Sequence, residues 1–165
     1  MRSLLKACVL ALGVAAAPAS QAQDATFSVR LLTPDTALKA AQAALARCRA
    51  NGFQVAVAVV DRMGVPQVML RDRFAGPHTP DTAVGKAWTA VSFRTNTTDF
   101  AASTASGPQA AIRNRPGVVA VGGGLMIEGG GAMLGAIGVS GAPGGKEDDV
   151  CAAAGLAAIK DALEL

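Results

Sequence analysis

Short apolar runs alternate along the chain with segments whose apolar residues recur at helical spacing. Leu38, Ala41, Leu45 and Cys48 fall on one helical face. Thr33-Pro34-Asp35 precedes them, with a capping hydroxyl, a proline suited to the first helical position and an acid at the positive dipole end. Asn51-Gly52 supplies the stop. The continuous Val/Ala run Val55–Val60 predicts a strand covered on both faces. A turn at Asp61–Gly64 leads to a second strand, Pro66–Arg71, and so short a link predicts an antiparallel hairpin. After a loop over Asp72–Thr79, Thr79-Pro80-Asp81 repeats the cap-proline-acid opening, predicting a helix to about Arg94 with Val84, Trp88 and Val91 on one stripe.

Polar residues with Pro108 and Pro116 mark a loose segment, and then the character changes. Val118–Val121, Leu125–Glu128 and Met133–Ser140 are short apolar runs separated by glycine triplets, the pattern of strands joined by turns and bulges. A last helix is predicted from about Glu147 to Leu163, with Glu147, Asp148 and Asp149 suiting its dipole. The order helix, two strands, helix, three strands, helix predicts an α+β domain whose central five-stranded, largely antiparallel sheet is covered by helices.

Composition narrows the function classes. The 165 residues suit one domain. With 51% hydrophobic and 16% charged residues, the chain has enough apolar side chain for a core. Aromatics make up 4%, with no Tyr, which removes the stacking platforms of single-strand nucleic-acid binders. Met1–Ala22 reads as a secretory signal: Arg2 and Lys6 give the positive start, Cys8–Ala17 a short apolar core, and Ser20-Gln21-Ala22 a small-residue cleavage site. Cleavage would leave residues 23–165 as a single domain, 13 basic against 12 acidic residues, a net of +1. So balanced a domain has no broad phosphate-binding surface, and no second run is apolar enough to span a membrane. The expected location is the periplasm or outside the cell.

Cys48 and Cys151 remain after cleavage. An even pair in an oxidising compartment predicts a disulfide, formed if the first and last helices pack antiparallel. The alternatives are two separate thiols, with Cys151 activated at a helix start, or two buried cysteines acting as small hydrophobes. One His and two Cys cannot close a four-ligand zinc site without a carboxylate. Gly144-Gly145-Lys146 is followed by Glu147 where a phosphate loop needs Ser or Thr, and Gly138-Val139-Ser140-Gly141-Ala142 misses the nucleophile-elbow pattern at its last residue. No acid-base or nucleophile constellation stands out.

The chain resembles the GlcG/HbpS family of haem-binding proteins, the haem-degrading domain family. The resemblance rests on Val57–Gly64, Leu70-Arg71-Asp72, Gly85–Ala90 with Ser92-Phe93, Gly122–Ile127 and Gly135–Ala142, in the family's order. It implies a profilin-like α/β sandwich, homo-oligomers (often octamers) and haem as the cofactor. The expected role is haem scavenging, storage or redox sensing by an exported protein. The alternative is an enzyme or accessory protein acting on a small organic acid, without haem. The one histidine, His78, is the candidate iron ligand, with Met63 and Met69 behind it. Arg71, Arg73 and Lys86 are candidate cations for the propionates or another small anion, and Trp88 and Phe74 candidate apolar surface for the ring.

Overall fold

The computed structural model describes residues 27–164. Met1–Ala22, where the signal is expected, lies outside them. The chain folds as an α+β domain in three layers. Helix α1 (Pro34–Ala50) leads to strands β1 (Ala56–Asp61) and β2 (Pro66–Arg71), followed by α2 (Thr79–Phe93) and the short α3 (Thr97–Ser103). A 3-10 segment over Pro108–Asn114 precedes β3 (Gly124–Gly129), β4 (Ala132–Ser140) and α4 (Gly145–Leu163). The sheet runs β2-β1-β4-β3, with antiparallel neighbours throughout.

The sheet has four strands, not the five expected. Val118–Val121 is not among them. Gly117 and Gly123 have φ of +89° and +113°, which breaks an extended run at both ends. Between them the Val119 amide donates to Thr89 Oγ1 at 2.9 Å, so a side chain takes the place of a ladder partner. The segment packs against α2, where a Cβ on Gly85 would lie 2.6 Å from a Val119 methyl. The loose segment also contains α3, whose opening protects the outer edge of β3: Gly124 N–H donates to Thr97 Oγ1 at 2.8 Å and Met126 N–H to Asn96 Oδ1 at 3.0 Å.

Strand parity sorts the core into two unlike faces. Val55, Val57, Val59, Ile127, Ile137 and Val139 pack against α1 and α4. Ala56, Ala58, Val60 and Ala136 pack against Ala83, Ala87 and Ala90 of α2. On α1 the stripe centres on Ala37, Ala40, Ala41, Ala44, Leu45 and Cys48, with Leu38 at its exposed margin. Thr33 caps α1 as expected, its hydroxyl accepting from the Thr36 amide at 3.3 Å. Cys48, near the end of α1, is bonded to Cys151, near the start of α4, with Cα atoms 5.4 Å apart. Further along, a Cβ on Gly155 would lie 2.8 Å from the Ala40 carbonyl, so the two helices run antiparallel in close contact. Among the described residues, no helix is long and apolar enough to cross a membrane.

Candidate functional site

A cleft of about 640 Å³ opens where the carboxyl end of β4, the starts of α2 and α4, and the α1–β1 connection meet. Its wall on one side is His78, Thr79, Thr82 and Lys86, and on the other Ser140–Gly145 with Asp148. Phe53, Phe74 and Val121 supply apolar surface. Phe74 is 78% exposed and Val121 49%, so both present apolar area to whatever occupies the cleft.

The loop that carries Phe74 and His78 is fixed at its base. Asp72 is buried and receives the guanidinium of Arg49, from the last turn of α1, with Nε 2.7 Å from Oδ1. The Asp72 amide donates to the Val55 carbonyl at 2.9 Å, and the Ala75 amide donates to the Asp72 carbonyl at 3.2 Å. Arg71 donates to the Ala75 carbonyl, bracing the same loop. Helix α2 then starts at Thr79, and its N-cap is His78 with no side-chain cap. The expected capping role of Thr79 is replaced by a different bond: its hydroxyl donates backwards to the Gly76 carbonyl at 2.7 Å. Thr82 Oγ1 donates to the His78 carbonyl at 2.9 Å, which holds the backbone and leaves the imidazole to the cleft. Gly76 has no Cβ, and an added one would lie 2.8 Å from Cε1 and 3.0 Å from Nδ1 of His78. The ring therefore rests against the loop backbone.

Lys86 is almost fully enclosed at the cleft floor. Its ammonium donates to Asp148 Oδ2 at 2.7 Å and to the Val139 carbonyl at 2.9 Å. Both partners of this pair have under a twentieth of their surface exposed. Burial pushes the Asp148 carboxyl above its usual range; the Lys86 hydrogen bond and charge oppose that shift, as does the Ala142 amide, and Asp149 adds to it. Asp148 Oδ1 also accepts from Ala142 N–H at 3.1 Å. Next to it, Asp149 accepts from Gly123 N–H and Thr98 Oγ1, each at 2.5 Å. The two acids join the β4–α4 turn to α2, to the start of α3 and to the glycine run before β3. The sequence placed them only as dipole-favouring residues. The signal that finds Lys86 is its position among Ala83, Ala87 and Ala90, the face of α2 that meets the sheet.

The candidate residues thus separate. His78, Phe74 and Lys86 share the cleft. Arg71 and Arg73 are outside its lining and exposed at the loop base. Trp88 lies on another side of α2, in a groove with Asp81, Val84, Gly85, Pro116 and Gly117. There the Arg115 guanidinium sits 4.6 Å from its ring centre, and a Cβ on Gly64 would lie 2.6 Å from its ring. Met63, 63% exposed, sits in the β1–β2 turn, and Met69 on β2; neither lines the cleft. Among the described residues no three His, Cys, Asp or Glu side chains gather as a metal site.

These features define a small α+β domain with a half-apolar ligand cleft bearing one imidazole. The chain belongs to the HbpS-like family: the family model described as haem degrading protein HbpS-like matches residues 32–157. A double Glu-to-Asp mutant of Streptomyces reticuli HbpS is 39% identical, with a TM-score of 0.78 over 87% of this chain and 97% of that one. Another HbpS crystal structure is 38% identical, with a TM-score of 0.77 over 82% of this chain and 95% of that one. PduOC, solved as a haem complex, is 27% identical, with a TM-score of 0.70 over 78% and 95% of the two chains. No curated protein matches the chain.

Proposed function

We propose that this is an exported haem-binding protein, serving haem scavenging, storage or redox sensing, and that haem occupies the cleft at His78. The observation that carries the reading is the placement of the single histidine beside exposed Phe74 in the cleft, in a chain of the HbpS-like family. The residues present fit the group: an imidazole free of hydrogen-bond duties to the backbone, an aromatic ring and aliphatic surface on the cleft walls, and room for a large ligand. Bound haem would supply iron redox chemistry. The chain's part is to position the imidazole through Thr82 and Gly76, to hold the loop through Asp72 and Arg71, and to cover part of the macrocycle with Phe74 and Val121. The family resemblance extends the proposal to a homo-oligomer, often an octamer, and to export after cleavage near Ala22. Intact mass and light scattering on exported protein test those two points.

Titration of haemin into the apo-protein and into His78→Ala tests the central claim. The wild type is expected to bind saturably, with a Soret band that moves in the variant. Absence of saturable binding overturns the haem reading. Binding with an unchanged Soret band in His78→Ala keeps haem and removes His78 as ligand.

A further inference from the structure

We propose that the end of the cleft formed by Ser140 and the start of α4 is a carboxylate-binding subsite. The proposal deepens the haem reading, since it assigns chemistry to the same cleft, but it stands on different residues from His78.

Ser140 ends β4 and lines the cleft with only 4% of its surface exposed. Its hydroxyl makes no hydrogen bond within the described residues. The one fully enclosed side-chain polar atom without a partner there is Gln67 Oε1, so Ser140 Oγ is open to the cleft. A hydroxyl without a protein partner that opens on the cleft is left to hydrogen-bond whatever enters it.

The start of α4 lies beside it. Its N-cap is Gly144, which has no side chain to cap the first turn. Gly144 and Gly145 both line the cleft. The first amides of a helix have no partner inside it. The acids that follow are directed elsewhere: Asp148 holds Lys86 and Ala142, and Asp149 holds Gly123 and Thr98. Glu147 is the nearest other carboxylate, with Oε2 2.9 Å from where a Gly144 Cβ would stand. The 19-residue helix thus brings an uncapped first turn and its positive dipole end to the same cleft that Ser140 lines.

The charges lining the cleft select the ligand class. Lys86 and Asp148 neutralise each other, which leaves His78 as the remaining ionisable group among the lining residues. With no free Lys or Arg in the lining, a doubly charged phosphate lacks a counter-charge. A carboxylate needs less: one oxygen can accept from a hydroxyl and the other from helix amides. The volume of the cleft fits a carboxylate borne on a larger body. That carboxylate is a haem propionate or belongs to a free organic acid.

Three probes and two variants separate these sources. The probes are propionate, haemin and haemin dimethyl ester. The variants are Ser140→Ala, which removes the hydroxyl, and Gly144→Asp. Gly144 is in an extended conformation (φ −159°, ψ 170°) that any residue adopts; once the flexible Glu147 carboxylate swings away from the new Cβ, an Asp there caps α4 with its own carboxylate and excludes another. Thermal unfolding of Gly144→Asp is expected at or above the wild-type temperature, so lost binding would not reflect lost fold.

Propionate is expected to shift the Ser140 and Gly145 amide resonances saturably in the wild type and in neither variant. Haemin is expected to bind about tenfold tighter than its dimethyl ester, a preference that both variants erase. If haemin and ester bind alike while propionate still titrates Ser140 and Gly145, the subsite stands and its ligand is a free acid. If haemin fails to bind while propionate titrates, the haem reading falls and the subsite stands. If propionate leaves both resonances unmoved and esterification changes nothing, the subsite is overturned, whether or not haemin binds.

Discussion

The two faces of the sheet achieve burial by opposite means. Toward α1 and α4 the strands offer Val55, Val57, Val59, Ile137 and Val139, and the helices are joined by the Cys48–Cys151 disulfide. Toward α2 they offer Ala56, Ala58 and Ala136 with Gly138 and Gly124, and one branched residue, Val60, and the helix backbone approaches until a Cβ on Gly138 would lie 2.0 Å from the Ala83 carbonyl. Branched side chains fill volume on one face; on the other, close backbone contact leaves little volume to fill. That close approach brings Lys86 onto the end of β4 and within reach of Asp148. The cleft sits at this end, so the small-residue face carries the polar machinery while the branched face and the disulfide stabilise its frame. The difference shows how one sheet serves as core on one side and as a platform for a site on the other.

The largest expected effect is on the α2 face. Lys86→Ala leaves Asp148 buried without its partner, and loss of one member of a buried pair costs about 3–5 kcal/mol. Urea unfolding at neutral pH measures it. The double variant Lys86→Met with Asp148→Leu should recover a large part of that loss, because two apolar side chains need no counter-charge. A single variant that loses no more than about 1 kcal/mol would break the comparison, since Asp148 would then tolerate burial without its partner and the α2 face would not depend on the pair.

On the opposite face, replacing Cys48 and Cys151 together with alanine is expected to cost about 2–4 kcal/mol. The chain-entropy argument gives the upper part of that range for residues 103 apart in sequence. The loss should appear as a lower urea midpoint with an unchanged secondary-structure spectrum. A neutral outcome would mean that the branched core alone holds α1 against α4.

Adjacent positions of β4 sharpen the contrast further. Gly138→Ala adds a methyl where Ala83 O and Ala87 N already stand, both backbone atoms that cannot rotate away. Overpacking of this kind costs about 1–3 kcal/mol. Val139→Ala, one residue along and facing α1 and α4, removes methyls and costs a similar amount, about 1–3 kcal/mol, for the opposite reason. A stabilised Gly138→Ala variant would show that α2 can lift from the sheet.

The same asymmetry decided what could be read from sequence. β2 was legible at both ends, Pro66 and Arg71, because a turn and a polar loop bracket its apolar run. The start of α1 was legible from Thr33-Pro34-Asp35, and the disulfide from an even cysteine pair in a chain expected to be exported, on the condition that the first and last helices pack antiparallel. Membership of the haem-degrading family was legible from the ordered motif blocks. Val118–Val121 misled because an apolar run between glycines has the pattern of a strand, whereas Thr89, thirty residues earlier in the chain, takes its amide. The short α3 was hidden by its polar residues, whose role is to cap a strand edge. The Lys86–Asp148 pair was not read: Lys86 was expected as a cation for a ligand anion, and the acid that holds it is 62 residues away, a distance that only the folded sheet closes.

The smallest expected effect tests how that pair balances. Burial holds the Asp148 carboxyl above its usual value of 3.8 in the folded protein, despite the Lys86 hydrogen bond and charge that oppose it. The folded state therefore binds the Asp148 proton more tightly than the unfolded chain does. Its contribution to stability is fully present below the unfolded value and declines as pH rises through the folded one. Asp148→Asn removes this titration while keeping a side chain of similar shape. The stability of the wild type relative to Asp148→Asn should accordingly fall as the pH is raised from below 3.8 toward neutrality. Urea unfolding of both proteins across that range, compared as a difference, isolates the one carboxyl from the others. A difference that grows with pH would mean that attraction to Lys86 outweighs burial, and the α2 face would then draw net stability from its charges rather than from the close approach of its backbone.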